Sequence, residues 1–82
     1  MDYGKYIIVN ETTPILFPCH VEHWEMAKPF GGKADSGGQF SVDIKDGKIV
    51  VSTFGRSVTL KVDSKKEDAK YIKRLLDPYS YY

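Results

Sequence analysis

The single cysteine and both histidines of this 82-residue chain fall within five positions, Cys19-His20-Val21-Glu22-His23. These side chains can bind a soft metal ion, or act as a nucleophile with its base. If Cys19 to Lys28 is helical, Cys19 and His23 stand one turn apart on one face, a spacing that suits two ligands of a zinc ion. A structural zinc needs four ligands, and the chain has no second cysteine and no third histidine. The rest would have to come from carboxylates such as Glu22 or Asp35, which nothing in the sequence places nearby. A thiol near a helix N-terminus can be activated by a histidine. Catalysis would also need a group to orient the imidazole and an oxyanion site. The plainer reading is a thiol that behaves as a small hydrophobe beside hydrogen-bonded or solvated imidazoles. The sequence therefore predicts no catalytic residue, no bound metal, no cofactor and no enzyme. Cys19, His20 and His23 are the candidates for a metal- or thiol-dependent site, should one exist.

Three further features invite a functional reading. Gly31-Gly32-Lys33-Ala34-Asp35-Ser36-Gly37-Gly38 resembles a phosphate loop in composition only, because Gln39 stands where Lys-Ser/Thr would follow the last glycine. A surface connection serving as a contact loop is expected instead. Trp24 and Phe30 flank it, and tryptophan is favoured at interface hot spots, so Trp24, Phe30, Gly31 and Gly32 are the candidate partner-binding residues. Lys66, Lys70, Lys73 and Arg74 lie away from the apolar stripe of a predicted C-terminal helix. Such a row can track a nucleic-acid backbone, but it is also the ordinary solvated face of a helix.

The elements that would position these residues are short. The chain is long enough for one domain, spanning residues 1–82, and must aim nearly all its apolar residues at one core. It is 41% hydrophobic and 28% charged, a globular composition. Lys+Arg 12 against Asp+Glu 11 gives a formal charge of +1, which does not mark the whole molecule for nucleic acid or anionic lipid. A lone cysteine forms no internal disulfide. Ile7-Ile8-Val9 is too short for a signal peptide, and no apolar run approaches the ~20 residues of a membrane span. A cytoplasmic protein with no membrane partner is expected.

Asp46-Gly47 between Gln39–Lys45 and Lys48–Phe54 predicts a two-residue hairpin. That turn sets Lys45 opposite Lys48, Ile44 opposite Ile49, Val42 opposite Val51 and Phe40 opposite Thr53. A second turn at Gly55-Arg56 would set Val51 opposite Leu60 and Ile49 opposite Val62. Phe40, Val42, Ile44, Ile49, Val51, Val58, Leu60 and Val62 would then share one face of a three-stranded meander. Val50 and Phe54 interrupt the polar pattern of the other face, which implies a cover there. Ser64-Lys65-Lys66-Glu67 has the spacing of a capping box, and Ala69, Ile72, Leu75 and Leu76 follow as an apolar helical stripe that stops at Asp77-Pro78.

In the first half, Lys5–Val9 and Pro14–Phe17 read as strands joined by a turn over Asn10–Thr13, with Pro14 at an edge or strand start. A short helix from Cys19 to Lys28, ended by Pro29, and a loop from Phe30 to Gly38 follow. The tail 77–82 reads as frayed unless its tyrosines dock on a neighbour. The edge at Pro14 is open to pairing across a two-fold or to capping by that tail, so a homo-oligomer is allowed. The predicted fold is α+β, an antiparallel sheet of four or five strands against a C-terminal helix, with a short helix between the halves.

Five segments in order carry a resemblance. They are Ile15-Leu16-Phe17, His23-Trp24-Glu25-Met26-Ala27, Gly37-Gly38-Gln39-Phe40, Gly55-Arg56-Ser57-Val58-Thr59-Leu60 and Ser64-Lys65-Lys66-Glu67-Asp68-Ala69. From about Tyr6 to Leu76 the chain resembles a family of small uncharacterised proteins encoded by phages and prophages. The likeness covers His23 but not Cys19 or His20. It implies a phage-related origin and brings no activity, cofactor or substrate. The functional expectation is a small non-catalytic protein-interaction module with a protein partner. A nucleic-acid-binding protein using the last helix is the alternative, and a site at Cys19, His20 and His23 comes third.

Overall fold

Tyr6-Ile7-Ile8-Val9 has no polar alternation, the pattern of a strand with protein on both faces. The structure, a computed structural model describing residues 2–76, places this run in the middle of a sheet. Strand β1 (Asp2–Val9) pairs antiparallel with β2 (Thr13–Phe17) on one side and with β3 (Ser36–Lys45) on the other. Strand β4 (Lys48–Phe54) completes the order β2-β1-β3-β4. Between β2 and β3 lie α1 (His23–Ala27) and a 3₁₀ turn (Lys28–Phe30). After β4 come a two-stranded ribbon, β5 (Arg56–Ser57) with β6 (Val62–Asp63), and α2 (Asp68–Leu76). The architecture is α+β with a four-stranded antiparallel sheet, a short helix and a C-terminal helix.

Alternation along β1 divides the interior in two. Tyr6, Ile8, Phe40 and Ile72 form one cluster under α2, joined by Leu16, Val42, Val51 and Tyr71. Ile7, Val9, Phe17 and Ala27 form a second on the opposite face, with Ile15, Val21, Met26, Ala34 and Leu60 against it. Each fully buried isoleucine contributes about 1.5–3 kcal/mol.

The β3–β4 hairpin has the register expected from Asp46-Gly47, with Ile44 opposite Ile49, Val42 opposite Val51 and Phe40 opposite Thr53. Asp46 (φ 54) and Gly47 (φ 77) carry the two left-handed positions of that turn. The expected third strand of the meander does not form. Gly55 is left-handed (φ 74), and Arg56-Ser57 pairs with Val62-Asp63 instead of with β4. The Ser57 hydroxyl accepts the Leu60 N–H at 3.2 Å, an internal turn that competes with a ladder. The eight side chains assigned to one surface are consequently divided. Leu60 joins the cluster on the far face, Val62 lies beside the Gly37 backbone, and Val58 is 75% exposed.

The cause is Gly37-Gly38. These glycines lie in β3, not in a loop, and their missing side chains let the segment after β4 wrap the end of the sheet. A Cβ on Gly38 would lie 2.5 Å from the Phe54 carbonyl oxygen. The capping box shifts as well. Ser64 Oγ donates to the Gly55 carbonyl at 2.9 Å, while Asp68 Oδ2 accepts the Lys65 N–H at 2.9 Å and starts the helix. Along α2, Ile72 is buried and Ala69 partly so, whereas Leu75 and Leu76 are exposed. The expectation for the tail 77–82 lies outside the described residues. No helix among the described residues is long and apolar enough to cross a membrane.

Candidate functional site

Cys19 and His20 do not lie on a helix. The Val21 N–H donates to the Pro18 carbonyl at 3.0 Å and closes a turn with Cys19 and His20 at its exposed corner. Helix α1 begins only at His23, so the one-turn spacing from Cys19 to His23 never arises. His23 is buried. Its Nε2–H donates to the Gly38 carbonyl at 2.9 Å, and its ring stands edge-on to Phe17 at 5.4 Å. The imidazole nitrogen facing the interior is therefore engaged in joining α1 to β3. The turn is tied down by Lys5, whose Nζ donates to the Val21 carbonyl at 3.1 Å. Among the described residues no group of three or more His, Cys, Asp or Glu is arranged to hold a metal ion.

Gly31 and Gly32 end the 3₁₀ turn. Gly31 donates to the Lys28 carbonyl (3.2 Å) and Gly32 to the Ala27 carbonyl (2.9 Å), both with left-handed φ, the double bond of a Schellman closure. Helix α1 ends at Ala27, and Pro29 stands in the 3₁₀ turn that follows it. The two glycines thus have a structural reason to be there. Trp24 is 45% exposed with Lys28 Nζ 5.8 Å from its ring centre, and Phe30 is also exposed. Phe30 lines a shallow hollow of about 360 Å³ with Asn10, Glu11, Lys33 and Asp35. Lys66, Lys70, Lys73 and Arg74 are all exposed.

Sequence reasoning did not find the apolar depression at the hairpin. A groove of about 500 Å³ opens where α2 stops short of the hairpin, lined by Leu16, Phe40, Val42, Ile44, Ile49 and Leu76, with Asp43 at its rim. Ile44 is 71% exposed there. The signal was a mismatch of lengths: nine helical residues extend ~14 Å, whereas the ten of β3 extend ~33 Å, so one cannot cover the other. On the opposite face Tyr3, Val50 and Phe54 are exposed.

The buried polar centre is structural. Tyr6 donates its hydroxyl to Asp68 Oδ2 at 2.6 Å, and Asp68 is buried at the start of α2, where a carboxylate is favoured by the helix dipole. Burial, followed by the hydrogen bond to Asp68, pushes the Tyr6 phenol well above its ordinary value. Comparison with protein-family models, curated proteins and solved structures finds no match for this chain.

Proposed function

We propose that this chain is a small, non-catalytic protein-interaction module, a phage-related accessory protein in keeping with the resemblance above, that receives apolar side chains of a protein partner in the groove at the hairpin. The observation that carries this reading is the open groove itself, where Ile44, Ile49 and Leu76 border a hollow large enough for one or two side chains. Exposed apolar side chains bordering a depression, here Ile44 and Leu76, are what a binding surface provides. The third candidate, at Cys19, His20 and His23, is weakened by the helix start at His23 and the engaged imidazole.

The test compares capture from a lysate of the natural host cell by the wild-type chain, Ile44→Asp and Trp24→Ala. A partner retained by wild type and Trp24→Ala should fall at least about tenfold on Ile44→Asp, the loss expected when a charge enters an apolar contact. Equal retention by wild type and Ile44→Asp, or no retained partner, would overturn the reading.

A further inference from the structure

The two edges of the sheet are unlike. β2 is five residues long and contains Pro14, which cannot donate to an added strand. β4 (Lys48–Phe54) contains no proline or glycine, and its one charged residue is Lys48 beside the turn, so Ile49–Phe54 carries none of the devices that normally blunt an edge. Lys45 and Lys48 flank the two-residue turn as its closing pair, so Asp43–Val50 and Ser41–Ser52 are also hydrogen-bonded pairs. The N–H and C=O groups of Ile49 and Val51 therefore point outward from the sheet. Among the described residues no backbone hydrogen bond reaches them.

A further depression, of about 270 Å³, runs along this rim and is lined by Ile49, Val50, Val51, Ala69, Lys70 and Lys73. Successive strand residues point to opposite faces, so a hollow touching 49, 50 and 51 lies along the edge and not on either face. Its outer wall is basic: Lys70 and Lys73 are both exposed, and no acidic side chain lines it. Ile49 separates this cleft from the apolar groove, being common to both.

We propose that the β4 edge binds an extended, acidic peptide segment as an added strand, with Ile49 and Val51 supplying the backbone bonds and Lys70 and Lys73 selecting its carboxylates. The inference rests on the protein-interaction reading and names the surface and the partner chemistry. Main-chain pairing gives such a complex its affinity and alternate side chains its specificity. Charge decides against a second copy of the chain as the occupant. Antiparallel pairing of β4 with itself about a two-fold would put both α2 helices on the same face of the joined sheet. The two Lys70–Lys73 pairs would then approach each other with nothing acidic between them, whereas a strand carrying glutamates meets them favourably.

The experiment titrates the full chain with a peptide of about eight residues alternating glutamate and valine, following backbone amide resonances. Controls are the same peptide with lysine for glutamate, a glutamate peptide interrupted by proline, and single-stranded DNA. The expected result is a change and slowed exchange at the Ile49 and Val51 amides with the glutamate–valine peptide alone. In Lys70→Glu/Lys73→Glu, two exposed reversals, affinity for that peptide should drop about tenfold and the lysine peptide should become the better ligand. Equal binding of the acidic and basic peptides, or amide changes confined to residues away from β4, would overturn it. So would DNA binding through the same lysines without changes at Ile49 and Val51, or changes at those amides produced by raising protein concentration alone. If the peptide fails while capture remains sensitive to Ile44→Asp, this inference falls and the groove reading stands; if capture is insensitive too, both fall.

Discussion

Among the described residues no buried side-chain nitrogen or oxygen is left without a hydrogen-bond partner, which is why none is offered as chemistry. His23 gives its Nε2–H to Gly38, and Asp68 takes both the Tyr6 hydroxyl and the Lys65 N–H on one oxygen. Tyr6→Phe would remove one of the two bonds to a buried carboxylate, and should cost about 1.5–3 kcal/mol in urea unfolding at neutral pH. The same residue sets an alkaline limit. The folded chain holds the Tyr6 proton more tightly than the unfolded chain does, so its contribution is complete below the ordinary phenol value of 10.0. Above that pH the unfolded state releases the proton while the folded state keeps it. Stability then falls by up to about 1.4 kcal/mol per pH unit, until the folded state itself titrates. Urea midpoints measured across that window should show this component of the slope in wild type and lack it in Tyr6→Phe. At Gly38 the constraint is steric. Gly38→Ala places a methyl group against the Phe54 carbonyl, and should destabilise by about 1–3 kcal/mol in the same measurement.

At the scale of elements, the β3–β4 hairpin outruns the helix that covers it, and its two ends differ in kind. Phe40 is buried beneath α2, so Phe40→Ala should cost about 3–5 kcal/mol. Ile44 sits four residues further on the same face yet lies in the open. Ile44→Asp should therefore leave the thermal midpoint almost unchanged, a shift in stability within about 0.5 kcal/mol, while it removes partner binding. An equal loss of stability in the two variants would mean that the hairpin end is core and not a receptor. Helix α2 matches its dipole, with Asp68 first and Lys73 and Arg74 last, so the row of lysines has an ordinary electrostatic reason to exist. What gives Lys70 and Lys73 a further role is their position above an unpaired strand edge, which no property of the helix alone supplies.

For the whole molecule, the consequential feature is that one sheet separates two apolar clusters. β1 contributes to both and lies between two strands, so its amides should exchange with solvent most slowly. Hydrogen exchange should rank Tyr6–Val9 as the best-protected segment, while the outward amides of Ile49 and Val51 exchange faster than that of Val50 between them. Comparable protection of β4's outward amides in the free chain would indicate that its edge is already occupied.

How far the residues themselves disclosed this arrangement follows from the range of each interaction. The Asp46-Gly47 hairpin and its register, the β1–β2 turn and the helix ending the described chain were legible, because left-handed turn positions and apolar periodicity act within a few residues. The route from Gly55 to Ser64 was not. Taken locally, Val58, Leu60 and Val62 alternate like a third meander strand. Ser57 folds back on Leu60, and the space left above Gly37 and Gly38 draws the segment across the sheet. Two glycines some twenty positions away decide it, and no local pattern records that they lie in a strand. The candidate site divides the same way. The exposed lysines could be named from helical spacing, but the groove exists because a short helix meets a long hairpin, and the β4 edge is open because the segment after Gly55 pairs with itself and not with β4; both become surfaces only once the elements are packed together.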